Sequence, residues 1–187
     1  MQTLILLLSL LTFLLPVTDM AIKAHVDYNV ALVKVDDNGQ IYIDDSKKSS
    51  FLKRVNRIRT KGCFCGREYM ESTHSLVWSD VLYQSALGHA KEMTRYNFFA
   101  HYSIDGNDIG DRLEQYGYDW QVAGENLGEG QESFGEVLSD WLDSKSHCKM
   151  LMNPKVSEMA VATHGRFWVQ HFGKPIAKNY HRIGRKY

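Results

Sequence analysis

The sequence predicts an α+β domain with helices in its first part and a small antiparallel sheet at its end. Apolar residues recur at spacings near four, the period of one helix face, along a helix that Ser79 caps: Leu82, Ala86, Ala90 and Met93. A second helix begins at Ser133 and Glu136, which match a capping box. Near the C-terminus, Met159–Thr163 and Phe167–Phe172 flank His164-Gly165 and predict two paired strands.

The remaining elements are shorter. In the first third of the chain we predict a hairpin of Val30–Val35 and Gln40–Asp44 around Asn38-Gly39, a polar linker at Ser46–Ser50, and a helix that Ser50 caps and Gly62 ends. Further along we predict a turn-rich stretch at Gly62–Ser75 and short helices at Ile109–Tyr116 and Ser146–Asn153.

The composition is that of one globular domain. The chain has 187 residues, of which 44% are hydrophobic, 24% charged and 12% aromatic, and a disordered chain would be poorer in aromatic residues. This length accommodates one ordinary domain and an N-terminal extension. Because 22 basic and 22 acidic residues balance to a net charge of zero, we expect no nucleic-acid partner.

The chain divides into four predicted segments: a signal peptide or N-terminal anchor at residues 1–21, an extension with the hairpin and linker at 22–50, a domain at 51–173 and a basic tail at 174–187. The apolar run Leu4–Leu15 suits a signal peptide because it is short for a membrane span and ends at Pro16. An uncleaved anchor stays open because no basic residue precedes the run and cleavage after Ala21 would place Asp19 in the cleavage motif. Export predicts a secreted, periplasmic or cell-envelope protein, with residues 4–17 and the basic tail as the segments able to contact a membrane.

Three cysteines fit an exported protein, because a disulfide persists outside the cytoplasm. Cys63 and Cys65 are too close in sequence to bridge each other easily, so one of them is expected to bond Cys148. We favour Cys65–Cys148, with Cys63–Cys148 as the alternative. The spacing does not match a cysteine-based zinc finger.

Three polar residues in predicted loops stand out as candidates for a functional site. His101 follows a short aromatic stretch, Glu125 lies in Gly124-Glu125-Asn126, and His147 follows Ser146. Each signal is weak alone, since a single histidine near a helix end more often has a structural role. His89 lies among apolar neighbours on its predicted helix and is interpreted as a packed side chain, whereas Gln170 could reach the floor of a cleft from its strand.

Together these residues carry a resemblance to a known family. From Phe51 to Gly173 the chain resembles the CAP superfamily, or SCP-like extracellular domains, in its bacterial form. The matching motifs, in order, are Asn56-x-x-Arg59, Leu76-x-Trp78, Ala86-x-x-His89-Ala90-x-x-Met93, Phe99-Ala100-His101, Gly124-Glu125-Asn126-Leu127, Trp141-x-x-Ser144-x-Ser146-His147, Leu151-Met152-Asn153-Pro154 and Phe167-Trp168-Val169-Gln170-x-Phe172. The resemblance implies an α-β-α sandwich, a small antiparallel sheet with helices on both faces. It also implies a central cleft that contains His101, Glu125 and His147, with Ser144 and Gln170 beside them.

The resemblance also implies a divalent metal in some members, held by two histidines. Here these would be His101 and His147, with Glu125 as a candidate third ligand and Zn²⁺ as the favoured ion. A metal-free hydrogen-bonded cluster is the structural alternative. Where animal members carry a second glutamate, this chain has Ser144, so chemistry that needs two carboxylates does not carry over.

Three functional hypotheses follow. The first is an exported domain that binds a lipid, another small ligand or an envelope or extracellular protein through its cleft, because family members are reported to bind such partners. The second is a metal-dependent, protease-like hydrolase with a metal on His101 and His147 and Glu125 as general base. The third is an envelope interaction module that docks through residues 22–50.

Overall fold

The computed structural model of the chain describes residues 33–35 and 41–177. The strands are β1 (Val33–Val35), β2 (Ile41–Ile43), β3 (Cys63–Cys65), β4 (Glu68–Met70), β5 (Val77–Trp78), β6 (Trp120–Glu129), β7 (Glu158–His164) and β8 (Phe167–Pro175). The helices are α1 (Asp45–Arg59), α2 (Asp80–Tyr96), α3 (Ile109–Gln115), α4 (Phe134–Asp143) and α5 (Lys145–Leu151). The predicted segment 1–21 and residues 178–187 of the predicted tail at 174–187 lie outside the described residues.

The central element is a four-stranded sheet in the order β5-β7-β8-β6. The strands β7 and β8 pair antiparallel around Gly165, as predicted, and β8 pairs antiparallel with β6 along its length. Helices α2 and α3 contact one face of this sheet, and α4 and α5 contact the other. The predicted α+β class and the α-β-α sandwich are confirmed.

Helix α2 forms where its apolar stripe predicts it. The Ser79 side chain accepts a hydrogen bond from the backbone N–H of Leu82 at the start of the helix. Asn97 ends the helix in the left-handed conformation, with φ of 51°. The predicted stripe is fully buried, and it packs against β7 and β8.

The predicted linker at Ser46–Ser50 is wrong, because these residues form the first turns of α1. The helix begins at Asp45, and the Asp44 carboxylate accepts a hydrogen bond of 2.9 Å from the backbone N–H of Ser46. Asp44 therefore caps the helix in place of Ser50. The hairpin of β1 and β2 directly precedes it, and Ile43 is buried in the core of the domain.

Two other local expectations also change. Ser133 does cap α4, but the Glu136 carboxylate accepts from the backbone N–H of Glu132, so the reciprocal bond of a capping box is absent there. A capping box forms instead on α3, between Asp108 and Asp111. The stretch predicted as turns at Gly62–Ser75 contains the hairpin of β3 and β4, whose turn includes Gly66 with φ of +66°.

Helix α5, which carries His147, is fixed at two points. The predicted disulfide between Cys65 and Cys148 is confirmed and ties the helix to β3, and Cys63 is a free thiol. At the other end of α5, the buried Arg59 side chain donates hydrogen bonds to the carbonyl oxygens of Leu151 (2.6 Å) and Asn153 (3.1 Å). A guanidinium suits this place because the last carbonyls of a helix carry partial negative charge.

None of the helices in the described part of the chain is long and apolar enough to cross a membrane.

Candidate functional site

The candidate site is organised by the alternation of side chains along β6. Glu125 pairs across the sheet with His171, and the next residue, Asn126, pairs with Gln170. Because successive side chains of a strand point to opposite faces, Glu125 and His171 face α2 and α3, whereas Asn126 and Gln170 face α5. The segment predicted as a loop around Glu125 is therefore a strand at the edge of the sheet.

The glycines beside Glu125 serve helix packing. A Cβ at Gly124 would overlap the sulfur of Met150 on α5, and one at Gly128 would overlap a methyl group of Val137 on α4. Both contacts are closer than a side chain allows, so glycine lets the helices approach the strand. On that face, Asn126 donates to the carbonyl oxygen of His147 at 3.2 Å and so joins α5 to β6.

Glu125 accepts a hydrogen bond or ion pair from three side chains although its own side chain is only 2% exposed. Its Oε2 lies 2.7 Å from a terminal nitrogen of Arg112 and 2.8 Å from Nε2 of His171, and its Oε1 lies 2.7 Å from Nδ1 of His101. A carboxylate only accepts hydrogen bonds, so Nδ1 of His101 and Nε2 of His171 carry hydrogens. Both oxygens of Glu125 are thus occupied by donors.

The pKa values of the cluster follow from these contacts. Burial alone would raise the pKa of the Glu125 carboxyl, but the hydrogen bonds from His101 and His171 and the charge of Arg112 hold it well below its ordinary value. The hydrogen bond to Glu125 raises the pKa of His101, against the opposing effect of burial. Burial lowers the pKa of His171, and the hydrogen bond to Glu125 opposes this shift.

His101 lies in the loop between α2 and α3, and the two helices hold this loop from both sides. His89 on α2 contacts the carbonyl oxygen of Ala100 at 2.9 Å, which agrees with its predicted role as a packed histidine. Arg112 on α3 donates to the carbonyl oxygen of His101 at 3.0 Å while it also binds Glu125. These contacts fix the backbone and Nδ1 of His101. Because the side chain is 56% exposed, the other edge of its ring faces solvent.

The other predicted cleft residues contribute less directly. Burial, and after it the charge of His101, lower the pKa of His147. His147 itself lies on α5, which agrees with the short helix predicted at Ser146–Asn153. Ser144 is the last residue before α5, with its hydroxyl 3.3 Å from that of Ser146. The Gln170 side chain is fully buried and accepts a hydrogen bond from Asn126, and its place at the cleft stays a prediction.

The predicted three-ligand metal set does not fit this geometry. Both oxygens of Glu125 are held by Arg112, His171 and His101, so Glu125 could bind a metal only by giving up a buried ion pair. Within residues 33–35 and 41–177, the only three metal-ligating side chains whose ligand atoms lie within 4.8 Å of one another are Cys63, Cys65 and Cys148, two of which form the disulfide. Metal binding by His101 and His147 alone stays a prediction.

Sequence reasoning missed Arg112 and His171, both of which bind the Glu125 carboxylate. His171 stands directly opposite Glu125 in the pairing of β6 with β8, so a register for these strands would have predicted the contact. Arg112 gave no such signal, because its role depends on how α3 packs against β6.

A four-stranded sheet between two helical layers is the α-β-α sandwich that the resemblance to CAP domains implies. Residues 52–172 match the sequence model of CAP, the Cysteine-rich secretory protein family, and the chain belongs to this family.

The most similar curated relatives include two proteins of Bacillus subtilis strain 168. The chain is 28% identical over 153 residues to "Uncharacterized membrane protein YlbC", an alignment that covers 80% of this chain and 42% of the relative. It is 30% identical over 95 residues to "Uncharacterized protein YkwD", an alignment that covers 50% of this chain and 37% of the relative. The matches thus span about two-fifths of the length of these relatives.

Two solved structures have the same fold. An extracellular protein containing a SCP domain from Bacillus anthracis aligns with a TM-score of 0.60 at 25% identity, over 73% of this chain and 47% of that one. An outer surface protein from Borrelia burgdorferi aligns with a TM-score of 0.59 at 21% identity, over 72% of this chain and 97% of that one. The first of these neighbours is described as extracellular and the second as an outer surface protein.

Proposed function

We propose that this chain is an exported binding protein that holds a lipid, another small ligand or an apolar part of an extracellular protein at the cleft beside His101. The observation that carries the proposal is the buried Glu125 carboxylate, which fixes an exposed imidazole in one orientation. A cluster that served the core alone would have no need to hold a half-exposed ring. Secretion is supported by the family and by the extracellular or outer-surface neighbours.

The surface around His101 supplies the apolar part of such a site. Phe99, Tyr102 and Ile104 are 47%, 62% and 60% exposed, and all three flank His101 in the same loop. Phe99 is stacked on Phe167 of β8, with ring centroids 6.1 Å apart, so its position is fixed by the sheet. Ligand sites commonly combine apolar side chains with a few oriented polar groups, as this loop does.

The polar part of the site is the outward edge of the His101 ring. With Nδ1 held by Glu125, Nε2 is the nitrogen left to meet a ligand. The raised pKa of His101 favours the protonated ring, in which Nε2 donates a hydrogen bond. An amphipathic ligand with an acidic or carbonyl head group matches this combination.

The hydrolase hypothesis loses its general base on the same grounds. A general base needs a free oxygen and a pKa near the working pH. Glu125 has both oxygens bound by donors and a pKa far below that range, which supports an orienting role for it. The interaction-module hypothesis is weakened too, because Ile43 at the end of the hairpin is buried in the domain.

Binding of a fluorescent long-chain fatty acid to the full chain tests the proposal, since this probe has an acidic head and an apolar body. We expect His101→Gln to weaken binding about tenfold, as for loss of a charge-assisted hydrogen bond. Phe99→Ala should weaken it about five- to tenfold through lost apolar contact. The matched controls are Phe64→Ala and His74→Gln, exposed residues on other parts of the surface, which should leave binding unchanged.

Equal binding by all four variants would contradict a site at His101. If the wild type shows no saturable binding, fatty acids are excluded as ligands, and another small ligand or a protein partner is what the proposal then rests on. Peptide hydrolysis that a chelator stops and Glu125→Gln abolishes would support the hydrolase in its place.

A further inference from the structure

The three cysteines form a group that the proposed binding site does not use. Cys63 and Cys65 lie two positions apart on β3, so their side chains leave the same face of the strand. Phe64 between them points the other way and is 66% exposed. Cys148 on α5 faces both cysteines. Its sulfur is bonded to Cys65 and lies 3.8 Å from the sulfur of Cys63.

We propose that this group is a thiol–disulfide exchange site, in which Cys63 and Cys65 compete for Cys148. In the exchange, the Cys63 thiolate forms a bond to Sγ of Cys148, the Cys65–Cys148 bond breaks, and Cys65 leaves as a thiolate with the electron pair. The proton that Cys63 loses is taken up by Cys65 through solvent. One disulfide is broken and one is formed, so the step needs no oxidant or reductant.

The positions of the three sulfurs also limit the rate of this exchange. All three sulfurs lie within 4.8 Å of one another, so Cys63 contacts the disulfide from its side. Attack on a disulfide runs along the line of the bond, and Cys63 must therefore rotate its side chain before it can react. The Cys63 side chain is only half-buried, so it is not enclosed on all sides. We expect exchange over minutes to hours, the range of uncatalysed disulfide rearrangement.

The consequence of exchange falls on α5. Residues i and i+2 of a strand are about 6.6 Å apart, so a change of partner moves the anchor of α5 along β3 toward Cys63. The anchored residue, Cys148, directly follows His147. The free thiol that remains in either state is the position at which a small-molecule disulfide can add.

Thiol mapping of the full-length wild-type protein tests the proposal. The protein is held at about pH 8.5 without reductant, where more thiolate is present, and samples are quenched with acid, unfolded and alkylated with N-ethylmaleimide. At first only Cys63 should be labelled. With time we expect Cys65 to be labelled as well, to a fraction at least about tenfold above the labelled fraction of Cys65 in Cys63→Ser. This variant is the matched control because its disulfide has no third thiol to attack it.

Cys65→Ser provides the reference for the exchanged state and is expected to form the Cys63–Cys148 bridge. The rate in the wild type should not change on tenfold dilution, because the exchange is intramolecular. Label that stays on Cys63 alone after a day overturns the proposal, whether or not Cys65→Ser forms its bridge. A rate that falls in proportion to protein concentration also overturns it, since the exchange would then occur between molecules.

Discussion

The substitution Glu125→Gln removes one charge from the centre of the site and keeps the shape of the side chain. Glutamine can still accept from one donor, but its amide group opposes another, and the Arg112 guanidinium stays buried at 5% exposure without its anion. Removal of one partner of a buried ion pair costs about 3 to 5 kcal/mol. We expect the free energy of unfolding to fall by this amount at neutral pH.

Urea unfolding followed by circular dichroism measures this loss, with Glu129→Gln as the matched control on the same strand. Glu129 pairs with Arg166 at 2.8 Å on the surface, so its loss should cost less than about 1 kcal/mol. The double variant with Arg112→Met should lose less than the sum of the two single variants, because it leaves no unpaired charge. A loss below about 1 kcal/mol for Glu125→Gln, with the fold intact, would refute the central role of this ion pair.

The same comparison has a defined pH dependence. The pKa of Glu125 is depressed in the folded protein, so its contribution to stability is fully present above the unfolded pKa near 4.5. Below that pH the unfolded chain takes up the proton first, and the contribution is lost as pH falls. The difference in unfolding free energy between wild type and Glu125→Gln should therefore shrink from about pH 5 to pH 3. A difference that grows toward low pH would contradict the direction of this pKa shift.

Three further predictions concern the frame around the site. Arg59→Met should cost about 3 kcal/mol of unfolding free energy by urea titration, because it leaves the last carbonyls of α5 without donors; a neutral result would refute the anchoring role. In Cys63→Ser, reduction of the Cys65–Cys148 bridge, which spans 83 residues, should lower the free energy of unfolding by about 4 to 5 kcal/mol in the same urea titration. An unchanged midpoint of urea unfolding after reduction would contradict this. Glu136→Ala should cost about 0.5 to 1.5 kcal/mol and leave fatty-acid affinity unchanged, and loss of affinity at constant melting temperature would make Glu136 a site residue.

The sequence predicts the helical layers and the final strand pair well, because their apolar periods are long and regular. It fails at Ser46–Ser50, where polar residues suggest a linker and the structure has helix. Polar residues also suit an exposed helical turn, and Asp44 supplies the cap that decides between the two. Composition alone does not distinguish these states.

The candidate site shows the same division. His101 and Glu125 are predicted on family motifs, and the structure joins them by a 2.7 Å hydrogen bond. The run Gly124-Glu125-Asn126 suggests a loop, whereas in the structure it lies on a strand, where Gly124 lets α5 approach. Arg112 and His171 keep Glu125 charged. Their positions depend on how α3 packs and on the register of β6 with β8, which no local sequence pattern encodes.

The pKa of the His101 ring is the most direct test of the claim that Glu125 orients this histidine for binding. It can be read from the ring resonances in an NMR titration from about pH 5 to pH 9, on wild type and Glu125→Gln. We expect a wild-type pKa above the ordinary value of 6.5 and a lower pKa in the variant, where burial and the charge of Arg112 act without opposition from Glu125. A wild-type pKa at or below 6.5, unchanged by Glu125→Gln, would show that the carboxylate does not hold the ring.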